Sequence, residues 1–326
     1  MRVVITGGAG FLGSRLARAI LERGQLTDTH GESRKVTRLV LVDIVPASLA
    51  DARVNAVTGD LANEALIASV LTEDTDSIFH LAAIVSGQAE AEFDAGMRVN
   101  WDATRILLER CRKMNCPPKF VFTSSLAVFG GVLPDPVRDD SPAAPQTSYG
   151  AQKAMAELLL YDMTRKGFID GRSLRLPTVT VRPGMPNRAA SSFASGIIRE
   201  PLSGVDTICP VIPTAAMWVT SPRAVIRNLI IGHDVSAEEF GKAGFGHTRS
   251  VNVPGLRVGV GEMIEALRRV AGETAAARIQ WQLDPVIDRI VASWPSNFAA
   301  VLGSALGMRA DRDFDSIIRQ YIEEQR

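Results

Sequence analysis

Short runs of β-branched and apolar residues recur through the first 184 positions, each followed by a stretch whose apolar residues return every three or four positions. The two spacings predict buried parallel strands and amphipathic helices in turn. Arg2-Val-Val-Ile-Thr6 predicts the first strand, and Leu12, Leu16, Ala17, Ile20 and Leu21 mark the helix after it. Further strands are predicted at 39–43, 54–58, 77–81, 119–124 and 173–181, and helices at 64–70, 89–113 and 149–166. The polar stretch from Gly24 to Thr37 reads as an enlarged surface loop.

Strands alternating with helices predict an α/β fold, a doubly wound parallel (Rossmann) sheet with right-handed crossovers. The ligand crevice of such a sheet lies at the carboxyl ends of its strands. From residue 185 the pattern becomes irregular and proline-punctuated. A helix is expected from Pro222 to Gly232, because proline suits a first helical turn. Strands at 250–253 and 277–283, a helix at 261–270 and a mostly helical tail from Asn297 complete the reading. The expected division is a nucleotide-binding domain over 1–184 carrying the catalytic residues, then a smaller α/β substrate lobe over 185–326, with some exchange of chain between them.

Bulk properties narrow the partners. Lysine plus arginine number 36 and aspartate plus glutamate 36, so no electrostatic case exists for nucleic acid or an anionic membrane. No apolar run approaches the ~18–20 residues of a membrane span. The chain opens on a strand, and no charged region followed by a hydrophobic one suggests a secretory signal. Cys111, Cys116 and Cys209 are an odd set expected to be reduced thiols in a cytoplasmic protein. The four histidines are scattered, so no metal site is expected.

The candidate chemistry begins at Thr6-Gly-Gly-Ala-Gly-Phe-Leu-Gly13. A strand, a glycine turn and a helix start are what a pyrophosphate needs: missing Cβ atoms admit the backbone, and free N–H groups face the anion. The candidate residues are Gly7, Gly10, Phe11, Leu12 and Gly13, spaced G-x-x-G-x-x-G rather than the commoner G-x-G-x-x-G. Asp43 ends the second strand, where a carboxylate would accept ribose hydroxyls and repel a 2′-phosphate. That favours NAD over NADP, although Arg34 and Lys35 in the intervening loop offer positive charge. Tyr149 and Lys153 are four apart on one helical face. A nearby ammonium is expected to lower the phenol pKa, and Ser125 at a strand end to hold a substrate oxygen in line with the tyrosine.

These motifs, with Gly59-Asp60-Leu61, His80-Leu-Ala-Ala83, Val99-Asn100, Thr123-Ser-Ser-Leu-Ala-Val-Phe-Gly130 and Arg182-Pro-Gly184, resemble the extended short-chain dehydrogenase/reductase family of the NAD-dependent epimerase/dehydratase type. The resemblance spans nearly the whole chain. It implies that Asp60 and Leu61 flank the adenine, that Ala82 and Ala83 line the cofactor, and that Asn100 supports the active-site network. It places Pro183 beside the nicotinamide and makes Ser125, Tyr149 and Lys153 the catalytic trio. Tyr149 and Lys153 also contact the cofactor, and His80 reads as structural. Such enzymes commonly dimerise through a four-helix bundle, which implies a homodimer.

Two departures from the family pattern bear on the substrate. Phe129 replaces the tyrosine of its Val-Tyr-Gly run, and the segment from Arg182 to Leu202 lacks the usual nucleoside-diphosphate pattern. That segment is similar to the members of the family that oxidise a four-carbon sugar acid to its 2-keto acid with NAD. A small aldonate needs a cation for its carboxylate and hydroxyl-binding side chains for its polyol end. Arg182, Arg188 and Arg199 are candidates for the first, and Ser86, Ser191 and Ser192 for the second, with Ser125 and Tyr149 at the reacting carbon. The alternatives are a sugar-nucleotide epimerase or dehydratase that retains its NAD, and a catalytically silent NAD-binding protein.

Overall fold

The computed structural model, which describes residues 1–184, 190–243 and 248–325, is built around seven strands in one sheet. They are β1 (Arg2–Thr6), β2 (Arg38–Asp43), β3 (Val54–Thr58), β4 (Thr75–His80), β5 (Lys119–Ser125), β6 (Asp170–Leu176) and β7 (Ser250–Asn252). Their order is β7-β6-β5-β4-β1-β2-β3, and every neighbouring pair is parallel. The winding reverses between β1 and β4, so the crevice of this doubly wound sheet opens beside Thr6 and His80, which share a register.

Strand residues pack both faces in alternation. Val3, Ile5, Leu39, Leu41, Phe79 and Val121 enter one core with α1 (Phe11–Arg23). Val4, Val40, Val42, Ile78, Phe120 and Phe122 enter the opposite core. There they meet α2 (Ala103–Arg112) and α3 (Ser148–Arg165). Burial on both sides explains why these strands read as continuous apolar runs. A third core unites α4 (Phe193–Leu202) with Met217, Val219, Met263, Leu267 and Phe314. Chain from beyond residue 185 also returns to the main sheet: β7 pairs with β6, and Val225 and Leu229 of α5 (Pro222–Asp234) join the first core.

Three elements differ from the sequence reading. The stretch 24–37 holds a hairpin, Gln25–Thr27 with Ser33–Lys35, because Leu26 and Val36 are fully buried. It sits at the amino end of the sheet, where the Met1 ammonium donates to the Lys35 carbonyl at 2.9 Å. Arg34 faces Asp28 and Asp76 there, so neither it nor Lys35 is placed to meet a phosphate at the glycine turn.

The helix read over 89–113 is interrupted. A first turn, Ser86–Ala91, breaks at Glu92, and a π-helical stretch at Met97–Asp102 precedes α2. Asn100 sits in that stretch. The strand read over 173–181 is divided at Pro177, which has no N–H to continue the ladder. Beyond it Thr178–Val179 joins a different sheet, parallel to Ala216–Thr220.

Candidate active site

The glycine turn is dictated by steric room. Gly7 adopts a φ of 70°, and a Cβ on Gly13 would lie 2.0 Å from the Gly7 carbonyl oxygen. Only hydrogen fits there, so the first turn of α1 closes directly over the end of β1. Gly10 caps α1 without a side chain, which leaves the first-turn N–H groups of Phe11, Leu12 and Gly13 directed outward with no described side-chain cap. Asp43 Oδ2 accepts from the Ala9 N–H at 3.1 Å, so the carboxylate closing β2 borders the turn. Backbone donors, a helix N-terminus and a neighbouring carboxylate fit a dinucleotide.

Asp60 meets Arg98 in an ion pair and accepts from the Ala62 N–H at 2.9 Å, while Leu61 is buried. Asn100 clamps the chain after β4 with both ends of its amide. Its Oδ1 accepts from the Ile84 N–H at 2.8 Å and its Nδ2 donates to the Ile84 carbonyl at 3.1 Å. Ala82 and Ala83 are thus held between His80 and this clamp, with Ser86 opening the next helix. Asn100 Nδ2 also donates to Gln152 Oε1 at 2.8 Å, one residue from Lys153.

Ser125, Tyr149 and Lys153 are brought together by β5 and α3. Thr147 caps α3, its Oγ1 accepting from the Gly150 N–H at 3.1 Å. A Cβ on Gly150 would lie 2.1 Å from the Ala127 carbonyl oxygen. Glycine after Tyr149 therefore lets the helix touch the loop following Ser125. The Ser125 hydroxyl is the neighbour that favours ionisation of the Tyr149 phenol, and Ser125 Oγ accepts from the Ala127 N–H at 3.1 Å.

Lys153 is buried, with Nζ donating to the Thr123 carbonyl at 2.8 Å. That ammonium lies 4.6 Å from the Phe122 ring centroid and 5.7 Å from that of Tyr149. Burial pulls its pKa down to about 7, with Glu157 acting the other way. Burial pushes the Tyr149 phenol up to about 12, and the Ser125 hydroxyl only partly opposes it. The expected lowering by Lys153 is therefore not met in the protein alone: Nζ is drawn to the Thr123 carbonyl, and desolvation of the phenolate dominates.

A second set of residues was not singled out as functional by the sequence reading. His80 Nδ1 is 2.6 Å from Thr6 Oγ1, and His80 Nε2 is 2.8 Å from Thr104 Oγ1. Thr104 Oγ1 donates to the Asn100 carbonyl at 2.8 Å, and Thr123 Oγ1 to that of His80 at 3.0 Å. The only signal in the sequence was the His80-Leu-Ala-Ala83 motif itself.

Of the substrate candidates, Arg182 and Arg199 adjoin. Arg199 Nη1 donates to the Arg182 carbonyl at 2.8 Å and Nη2 to Glu200 Oε1 at 2.5 Å. Arg182 Nη2 is 3.4 Å from Ser191 Oγ. Pro183 follows directly, and Ser192 begins the approach to α4. Arg188 lies outside the described residues. Among the described residues no cluster of histidine, cysteine and acidic side chains is arranged to hold a metal, and no helix is long and apolar enough to cross a membrane.

Comparison with known proteins adds identity to this geometry. Residues 3–212 match the model of the NAD dependent epimerase/dehydratase family. The chain is 54% identical to a D-erythronate dehydrogenase of Cupriavidus necator, over 99% of this chain and 98% of that protein. It is 44% identical to a D-erythronate dehydrogenase of Haemophilus influenzae, over 99% of each. A solved structure named a nucleoside-diphosphate-sugar epimerase, from Agrobacterium tumefaciens, superposes with a TM-score of 0.91 at 41% identity, over 100% of this chain and 94% of that one.

Proposed function

The chain belongs to the NAD dependent epimerase/dehydratase family, and from that premise we propose that it oxidises a small sugar acid, D-erythronate or a close analogue, at the C2 hydroxyl. The substrate class is carried by one observation, the full-length likeness to two D-erythronate dehydrogenases at 54% and 44% identity. NAD is the cofactor of the family, and the glycine turn fits it. In this reading Gly7, Gly10, Phe11, Leu12 and Gly13 hold the pyrophosphate, and Asp43 holds the ribose hydroxyls. Asp60 and Leu61 flank the adenine. Ala82, Ala83, Asn100 and Pro183 line the path to the nicotinamide, with Tyr149 and Lys153 at its end.

Bound there, NAD supplies the hydride acceptor and a cationic ring near the phenol. Ser125 Oγ, the neighbour that favours ionisation of Tyr149, holds the C2 oxygen in line with it. Tyr149 Oη takes the hydroxyl proton while the C2 hydrogen leaves with its electron pair, and a 2-keto acid remains. A phenol near 12 is protonated at neutral pH, so Tyr149 acts as a base only where positive charge is added beside it. Lys153, held down at about 7 by burial and turned to the Thr123 carbonyl, does not supply that charge by itself, so the cationic ring of bound NAD is needed. Ser86 and Ser192 face the polyol end, and an arginine among Arg182, Arg188 and Arg199 takes the carboxylate.

The name of the Agrobacterium structure favours a second reading, a sugar-nucleotide epimerase, which regenerates its NAD in every cycle. Net formation of NADH from D-erythronate supports the dehydrogenase. Turnover of a nucleotide sugar, with no NADH from any three- to six-carbon aldonate, overturns it. The exposed Leu158 on α3 and Phe93 on the neighbouring helical turn support a homodimer through this helical face, which a solution molar mass reads directly.

A further inference from the structure

Arg182 differs from the arginines around it. Arg172, Arg175 and Arg199 each meet a carboxylate, from Asp170, Glu157 and Glu200 in turn. Arg182 has no acidic partner among the described residues, and its Ser191 contact at 3.4 Å is long. Burial and the adjacent Arg199 both work against its charge. A guanidinium does not shed that charge in a protein, so the cost of withdrawing it from water stands unrelieved.

Its mounting is nonetheless firm. The Arg182 N–H donates to Ser195 Oγ at 3.0 Å, and its carbonyl accepts from Arg199. Ser195 is fully buried, and Thr180 Oγ1 donates to the Ala194 carbonyl at 3.0 Å. Arg199 is thus spent as a strut between Glu200 and the Arg182 backbone, whereas the Arg182 fork is committed to no described acid. A half-buried cation on a firmly held backbone, with no described acid to answer it, is the arrangement expected of a group awaiting an anion.

Position limits which anion this is. β6 ends at Leu176, directly opposite Ser125 in the ladder, and Arg182 is on the stretch that leaves there. The glycine turn is on the other flank of β5, beyond β4. Arg182 therefore belongs to the Ser125 side, away from the place of the pyrophosphate.

We infer that Arg182 binds the carboxylate of the substrate, its planar fork pairing with both oxygens while Ser125 and Tyr149 engage C2. The inference rests on the sugar-acid reading and assigns within it the residue that selects acid over alcohol.

The test compares wild type with Arg182→Gln and Arg182→Lys. Arg182→Gln is expected to raise KM for D-erythronate about 10- to 100-fold, with Lys intermediate, while the Kd for NAD stays unchanged. Its melting temperature should hold or rise, because an unpaired, half-buried charge has gone; a residue serving the fold would show the reverse. The preference for D-erythronate over erythritol, which carries no carboxylate, should collapse in the variant. An unchanged KM, or a loss of NAD affinity instead, overturns the assignment. Calorimetric titration of D-erythronate into the NADH-loaded protein separates the two claims. Wild type that binds the acid through Arg182 without oxidising it sinks only the proposed reaction. Wild type that neither binds nor oxidises it sinks both.

Discussion

Thr6 and His80 are joined side chain to side chain at 2.6 Å, at the carboxyl ends of the two strands that flank the crevice. The proton placement follows from the partners. Thr104 spends its hydrogen on the Asn100 carbonyl, so it accepts from His80 Nε2–H, and His80 Nδ1 accepts from the Thr6 hydroxyl. A neutral imidazole thereby ties the glycine-turn strand to the helix that carries the Asn100 clamp.

Replacing His80 with alanine should cost about 3 kcal/mol, from two stranded hydroxyls and a cavity between Phe120 and Phe122. Urea denaturation checks it, and a loss below about 0.5 kcal/mol would show that the tie is dispensable.

Acid should weaken the fold through two histidines. Burial holds His80 down at about 3 and His233 at about 4, so both stay neutral in the fold while the unfolded chain takes up protons near 6.5. Their contribution is complete above pH 6.5 and is lost as pH falls toward 4, by about 3 kcal/mol for each histidine. Stability curves across this window, compared with those of a His233→Asn variant, should show a shallower fall in the variant.

Gly13→Ala should abolish NAD binding, because its methyl group would lie 2.0 Å from a backbone oxygen that has nowhere to move. Fluorescence titration with NADH reads this. Wild-type affinity in a folded variant would mean that the first turn of α1 does not close over β1 as found.

Tyr149→Phe should lower turnover by about 10²- to 10⁴-fold and leave NAD affinity intact. In the cofactor-free protein the Tyr149 phenol should ionise only near pH 12, as the ultraviolet difference between wild type and variant reports. A phenolate formed near pH 7 without NAD would contradict the burial argument.

Much of the site was legible because its causes are local. Tyr149 and Lys153 share a helical face by spacing alone, and the glycine turn is a short-range consequence of strand, turn and helix. Asn100 was named only through its motif, and the interruption at Glu92 and the π-helical stretch that carries it were not legible. Its partners Ile84 and Gln152 lie 16 and 52 positions away.

The sequence by itself determined the alternation of strands and helices in the main sheet, the glycine turn and the pairing of Tyr149 with Lys153, since periodicity and steric size act over a few residues. Only the tertiary structure decided where distant polar groups meet. It put the 24–37 hairpin at the far end of the sheet from the glycine turn, and it sent the chain into a second sheet at Pro177. It turned Lys153 toward the Thr123 carbonyl, and it separated Arg182 from Arg199 by giving Glu200 to only one of them. Those outcomes depend on burial and on partners remote along the chain, and desolvation makes each of them matter.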